Sequence, residues 1–324
     1  MNLLLTGGTG FFGRALLRHH LSLQFPAASK ICVLSRNPKR FLINYPEFNG
    51  HPSISFLKGD VQQRETLPWD LSFTHVLHAA TESSIGPSLT PLQRYDQIVH
   101  GTLNILNLAV ATGARRFLLT SSGAMYGPQP ADLNSIPEDY PGSPPLGEAG
   151  AAYGQAKRAA EYLCALYCEA HGLEIVIARC FAFVGPDLPL DVHFAIGNFI
   201  RDALTVDAIT VAGDGAPLRT YLDQSDLAHW LFTLLESGRV GEAYNVGSDE
   251  VISIAELAHL VRDILAPEKP VAILGREDPS APRSRYVPDI RKAHDELGLN
   301  VTIPLAEAIR RTGEAHRQEA RPQA

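Results

Sequence analysis

The chain has no basic block, no leader-like start and no apolar run of membrane-spanning length. Proteins that track a phosphate backbone cluster Lys and Arg. Here 28 Lys and Arg stand against 35 Asp and Glu, a formal charge of -7, so nucleic acid is not an expected partner. A secretory segment would place a charged n-region and an apolar h-region ahead of a cleavage site, whereas this chain runs straight into the strand-like Asn2-Leu-Leu-Leu-Thr6. With nothing approaching about 20 consecutive apolar residues, a soluble, cytoplasmic protein with no membrane partner is expected. Cysteine is scarce, at Cys32, Cys164, Cys168 and Cys180. Only 164 and 168 have helical spacing, and no His motif accompanies them. They read as buried thiols, and no metal site is expected.

Apolar side chains are plentiful, 45% of 324 residues, enough for one large or two closely packed domains without cross-links. Apolar runs at 2–6, 30–35, 53–57, 74–80, 115–122 and 173–180 read as buried parallel strands, with helical patterns near 11–22, 91–112 and 150–171. This alternation predicts an α/β fold, a doubly wound parallel Rossmann sheet, over residues 1–180. Beyond 181 the rhythm shifts to short strands at 209–213 and 242–247, with helices near 225–237, 253–265 and 304–317. Residues 181–324 read as a smaller mixed α/β substrate domain that exchanges some elements with the first, with a ligand crevice between them. Residues 126–150, crowded with Pro, Gly and Asp, read as a long loop lining or covering the site.

The stretch Thr6-Gly-Gly-Thr-Gly-Phe-Phe-Gly13 follows the first strand and opens the first helix. Gly7, Gly10 and Gly13 allow a tight turn and bring backbone N–H groups at a helix N-terminus against a pyrophosphate. A dinucleotide cofactor is therefore expected. At the end of the second strand, a carboxylate would hydrogen-bond a ribose 2′-hydroxyl, whereas Arg would accommodate a 2′-phosphate. Leu34-Ser35-Arg36-Asn37 has no carboxylate; Ser35 and Arg36 point to NADP(H), with NAD as the alternative. Asp60, after the third strand, is placed to meet the adenine edge.

Tyr153 and Lys157, four residues apart at the start of a helical pattern, share one face. A phenol titrates near about 10, and a neighbouring cation is a means of lowering that value. Together with the glycine loop and Ser122 at the end of the fifth strand, this set resembles the extended short-chain dehydrogenase/reductase family, in the epimerase/dehydratase branch that modifies nucleotide-sugars. The resemblance runs from Met1 to about Gly313. It implies Tyr153 as general acid/base, Lys157 as the group that lowers its pKa and holds the nicotinamide ribose, and Ser122, rather than Ser121, as the hydrogen-bond partner of the reacting sugar oxygen. It also implies Phe11 and Phe12 at the pyrophosphate turn, Asp60 and Val61 at the adenine, and Ala79 and Ala80 beneath the ribose. In the second domain it implies that Arg219 and Arg285 grip a nucleotide-sugar diphosphate and that Asn245 lies near the nucleotide. Asp226 reads as structural, and His100, His193 and Asn198 are further pocket candidates. Helices 91–112 and 150–171 resemble those through which family members form homodimers.

The branch runs 4,6-dehydration, 4-epimerisation and 4-keto reduction, all of which move a hydride between nicotinamide and sugar. Dehydration also removes a proton from C5 and expels water from C6, which requires a further acid and base. Dehydratases of the branch typically carry Asp-Glu after the hydroxyl residue, where this chain has Gly123-Ala124. A 4,6-dehydratase is disfavoured unless Glu82 or Glu138 substitutes. Ser35-Arg36 leans towards an NADP(H)-dependent 4-ketoreductase of deoxysugar biosynthesis, and so does Ala182, standing where an Asn is frequent. Ile98, where another Asn commonly precedes Gly-Thr, leaves the sugar open. The alternative is a 4-epimerase with retained NAD. A non-catalytic dinucleotide-sensing scaffold would have no need of Ser122, Tyr153 and Lys157 together.

Overall fold

The computed structural model describes residues 1–22, 29–81, 89–191, 194–276 and 283–319. It begins on β1 (Asn2–Thr6), an apolar run with its last four residues buried, and turns through the glycine loop into α1 (Phe11–Ser22). There follow β2 (Lys30–Ser35), α2 (Pro38–Asn44), β3 (Ile54–Lys58), β4 (His75–His78), α3 (Pro91–Ala111), β5 (Arg116–Ser122), α4 (Ala152–His171) and β6 (Glu174–Cys180). Local chemistry sets the helix ends. α3 starts on a capping box of Thr90 and Gln93 with Pro91 in its first turn, and α4 stops at Gly172, left-handed with φ 66°.

The remaining elements are shorter: β7 (Phe183–Val184), α5 (Ala195–Thr205), β8 (Ile209–Val211), β9 (Leu218–Arg219), β10 (Leu222–Asp223), α6 (Gln224–Ser237), β11 (Ala243–Val246), β12 (Ile252–Ser253), α7 (Ile254–Leu265), β13 (Val271–Ile273), β14 (Arg285–Tyr286), α8 (Arg291–Leu297) and α9 (Leu305–Glu319). Among the described residues, the main sheet has seven parallel strands in the order β11-β6-β5-β4-β1-β2-β3. Alternate side chains of β1 feed its two faces. Leu3 and Leu5 join Leu16, Leu17, Trp230 and Leu231 of α1 and α6, while Leu4 packs with Ile105, Leu106, Ala156 and Ala160 of α3 and α4. A separate core of Phe199, Ile200, Leu257, Val261 and Ile309 holds α5, α7 and α9 together.

The sequence pattern places 242–247 in the second unit, but β11 is instead the edge strand of the main sheet, with Asn245 opposite Arg179 of β6. α6 covers the same sheet beside α1. Residues 224–246 therefore return to the first layer, so the change of rhythm near 181 is not a clean boundary in space. Helix α8 and the small sheet β12-β9-β14 have too few residues for a period to be read from sequence. No helix among the described residues is long and apolar enough to cross a membrane.

Candidate active site

The sheet order turns back between β1 and β4, the switch point at whose strand ends α/β sheets bind ligands. The glycine loop lies there, and its three glycines serve different ends. Gly7 has φ 73°, and a Cβ on it would stand 2.4 Å from the Ala79 carbonyl oxygen; one on Gly13 would stand 2.2 Å from the Gly8 backbone. Gly10 is different: it is exposed, and the nearest atom to a Cβ there is the Gly7 oxygen at 3.4 Å. The protein has room for a side chain at Gly10, and what the missing methyl leaves clear is the approach over the turn, as a pyrophosphate requires. Gly10→Ala should leave the unfolding midpoint unchanged and weaken dinucleotide binding about tenfold or more. Gly7→Ala should lower both; calorimetric titration and thermal melts of the two variants make the comparison.

The other expected cofactor residues fall along the same edge. Phe11 and Phe12 turn their rings into the apolar clusters, with Phe12 edge-on to Phe183 at 5.1 Å, and leave their backbone at the α1 N-terminus. Ser35 closes β2 opposite Lys58, its hydroxyl accepting from the Asn37 N–H at 3.3 Å, and Arg36 stands exposed just beyond. The Asp60 carboxylate accepts from the Gln62 N–H at 3.0 Å. Val61 packs 3.1 Å from where a Cβ on Gly101 of α3 would be. The Ala80 N–H donates to Thr6 Oγ1 at 3.2 Å.

Ser121 and Ser122 part company at the end of β5. The Ser121 hydroxyl donates inward to Glu161, whereas Ser122 Oγ accepts from the Ala124 N–H at 3.2 Å and lies 3.5 Å from the Tyr286 hydroxyl. α4 brings in Tyr153 and Lys157, with Lys157 Nζ 5.8 Å from the Tyr153 ring centre. Lys157 donates to the Thr120 carbonyl at 2.8 Å and to Thr81 Oγ1 at 3.0 Å. The expected lowering of the phenol by this cation is not found. Burial pushes Tyr153 up to about 12, outweighing its hydrogen bond with Ser122, and burial brings Lys157 down to about 8. At neutral pH the ligand-free site therefore holds Tyr153 protonated, the form that donates a proton.

Below Lys157, the buried His78 shares a hydrogen bond with Thr6 Oγ1 at 2.7 Å. Burial first, then the Lys157 charge, lowers its pKa to about 3. A base whose folded pKa lies below its unfolded value, about 6.5, binds its proton only on unfolding. Its contribution is complete above pH 6.5 and is lost as pH falls towards 3. Unfolding free energy should drop in that window with a slope of up to about 1.4 kcal/mol per pH unit from this group. Denaturant titrations of His78→Asn, which cannot charge, should show a flatter slope.

The turn 123–126 rests on a buried polar network. Arg179 donates to both Glu161 oxygens, at 3.2 and 2.8 Å, to the Tyr126 hydroxyl at 2.8 Å and to the Glu138 carbonyl at 2.7 Å. Asn245, expected near a nucleotide, belongs here instead. It is fully buried, its Oδ1 accepts from Tyr126 at 2.9 Å, and its amide donates to the Ile136 and Asp289 carbonyls. This leaves it a structural residue. The Glu138 carboxylate accepts the Asn245 N–H at 2.8 Å, so it too is engaged in this network; Glu82 lies outside the described residues.

From the second unit, Arg219 sits on β9 beside Tyr286 of β14 in a parallel pair. Its guanidinium donates to the Leu218 and Ser284 carbonyls at 2.8 and 3.3 Å, and its charge reaches the Tyr286 phenol. Arg285 precedes Tyr286, and strand alternation directs it to the opposite face. Asp226 accepts the N–H groups of Thr302 and Ile303 at 2.9 and 3.0 Å, a structural tie as expected. His100 pairs with Asp96 on the exposed side of α3, Asn198 accepts from Arg201 at 3.2 Å, and His193 lies outside the described residues. Three site residues escape the sequence reading: Thr81, His78 and Tyr286. The first two lie within or just beyond a strand end already marked as cofactor-facing; Tyr286 adjoins the Arg285 taken from the same short motif.

Residues 3–247 match the sequence model of the NAD dependent epimerase/dehydratase family. UDP-glucuronic acid decarboxylase 6 of Arabidopsis thaliana is 32% identical over 311 residues, covering 95% of this chain and 87% of that protein. A dTDP-glucose 4,6-dehydratase of Streptomyces venezuelae, solved with NAD bound, superposes with a TM-score of 0.84 at 26% identity, over 98% of this chain and 97% of that one. A UDP-glucose 4-epimerase of Thermotoga maritima, solved with UDP-glucose, shares the fold with a TM-score of 0.81 at 21% identity, over 99% of this chain and 100% of that one.

Proposed function

The chain belongs to the NAD dependent epimerase/dehydratase family, and on that premise we propose that it transfers a hydride between a nicotinamide dinucleotide and C4 of a nucleotide-diphosphate hexose, as a 4-ketoreductase. The observation that carries this reading is Ser122, Tyr153 and Lys157 converging at the strand ends while Gly123 and Ala124, the two residues after Ser122, offer no proton-transfer group. The cofactor, when bound, supplies the hydride. Tyr153 gives its proton to the C4 oxygen, Ser122 holds that oxygen, and Lys157 stabilises the phenolate that results.

Dehydration would need a base at C5 and an acid at C6, and decarboxylation of a uronate would need a proton returned to C5. Neither Gly123 nor Ala124 can serve, and Glu138 is held by Asn245. Arg219, on the strand paired with Tyr286, is the cation suited to a diphosphate. The exposed Arg36 at the end of β2 supports NADP(H). A second reading, a 4-epimerase that keeps NAD, draws on the NAD-bound dehydratase of the same fold. Leu92, Tyr95, Tyr162 and Leu166, exposed on α3 and α4, support pairing of two copies through these helices.

The test is to denature the purified protein and identify any dinucleotide released. An empty protein that binds NADPH more tightly than NADH and oxidises it with dTDP-4-keto-6-deoxyglucose is the expected result. Stoichiometric NAD, with interconversion of UDP-glucose and UDP-galactose, replaces the ketoreductase with the epimerase. Carbon dioxide released from UDP-glucuronic acid overturns both.

A further inference from the structure

Gly123 has an ordinary backbone, since it is absent from the positive-φ glycines, so conformation does not explain why it lacks a side chain. Its surroundings do. A Cβ there would stand 2.7 Å from the Phe181 ring and 2.8 Å from the Tyr286 hydroxyl. Tyr286 is braced for that position: its ring lies 4.6 Å from Phe181, centre to centre, and β14 holds its backbone against β9. The phenol comes from far along the chain to lie 3.5 Å from Ser122 Oγ, close enough to Tyr153 that charge on one acts on the other. Ser122 of β5 thus has a phenol from α4 and a phenol from β14 beside it, and the Tyr286 hydroxyl stands where a side chain at 123 would reach.

Resting on the hydride-transfer reading above, we infer that Tyr286 is a third hydroxyl on the reacting sugar oxygen, donating a hydrogen bond beside Ser122 and Tyr153. Burial holds this phenol above its ordinary value, with the Tyr153 charge adding to the effect and the Arg219 charge opposing it. It therefore stays a neutral donor and moves no proton. A fixed donor at the oxygen that gains charge during reduction stabilises the transition state more than the ground state. Two phenols and a serine suit a hydroxyl or keto oxygen at C4.

Tyr286→Phe keeps the ring on Phe181 and removes only the hydroxyl, so the melting temperature should not move. Two measurements on the full-length protein follow. In the first, UDP, UDP-glucose, dTDP and dTDP-glucose are titrated into wild type and variant. The variant should lose about tenfold for the glucose conjugate and nothing for the parent nucleotide. Equal loss on nucleotide and conjugate, or no loss on either, overturns the inference; binding of no conjugate removes it together with the nucleotide-sugar reading. In the second, single-turnover hydride transfer from NADPH or NADH to saturating dTDP-4-keto-6-deoxyglucose should slow about 10²-fold in the variant. A wild-type rate overturns the inference. A wild type that binds dTDP-glucose yet transfers no hydride defeats the ketoreductase reading alone, and the titrations then decide the role of Tyr286.

Discussion

Tyr153→Phe should lower turnover by about 10²- to 10⁴-fold while leaving dinucleotide affinity nearly intact. The phenyl ring remains packed against the α3–α4 cluster, so the variant loses the acidic proton and little else. Lys157 keeps its bonds to Thr120 and Thr81, neither of which involves the phenol. Pre-steady-state mixing with NADPH and a 4-keto sugar separates the two quantities: binding should be retained and the hydride step should stall. A loss of binding equal to the loss of rate would make Tyr153 a structural residue. The wild-type profile of kcat against pH should decline on the alkaline side as Tyr153 loses its proton. Because burial raises that phenol to about 12, the ligand-free site contributes no such decline near neutrality.

Glu161→Ala should cost about 3–5 kcal/mol of unfolding free energy, because it leaves a buried guanidinium without its counter-charge. Arg179 and Glu161 have side chains only 13% and 9% exposed, and Ser121 would lose its acceptor as well. Typical domain stability is about 5–15 kcal/mol, so the loss is a large fraction of the total. Denaturant unfolding of wild type, Glu161→Ala and the double variant Glu161→Ala/Arg179→Met tests the cause. If the unpaired charge dominates, the double variant should recover part of the loss. If it recovers nothing, the hydrogen bonds from Arg179 to Tyr126 and Glu138 matter more than the charge.

The parallel strands of the first half were legible because burial on both faces demands continuous apolar runs, and the glycine loop because its spacing sits between one of those strands and a helix. Ser122 was separable from Ser121 only through the family resemblance; the structure supplies the physical reason in the inward bond from Ser121 to Glu161. Asn245 misled because an Asn at a strand end looks the same whether it awaits a nucleotide or, as here, satisfies three buried partners. Tyr286 was hidden for a related reason. Its role depends on meeting a residue 164 positions away, and β14 is two residues long, too short to carry a period. The shift of Tyr153 upward, where a neighbouring cation suggested downward, reflects desolvation, which no local spacing reports.

The late arrival of β11 bears on how the chain folds as it is synthesised. When residue 180 emerges, six of the seven strands exist, but β6 is an open edge with a row of unpaired backbone donors and acceptors, the usual template for association between chains. The pairing of Ala243 with Ile177 through Val246 with Cys180 must wait for some sixty further residues, a long-range closure of the kind that slows folding. Arg116 likewise has only Glu174 as an acceptor until the Leu235 and Gly238 carbonyls are made. Nascent chains stalled between β6 and β11 are thus the species most exposed to aggregation, and a fragment ending at 180 should precipitate where one extended through 246 has its sheet edge closed.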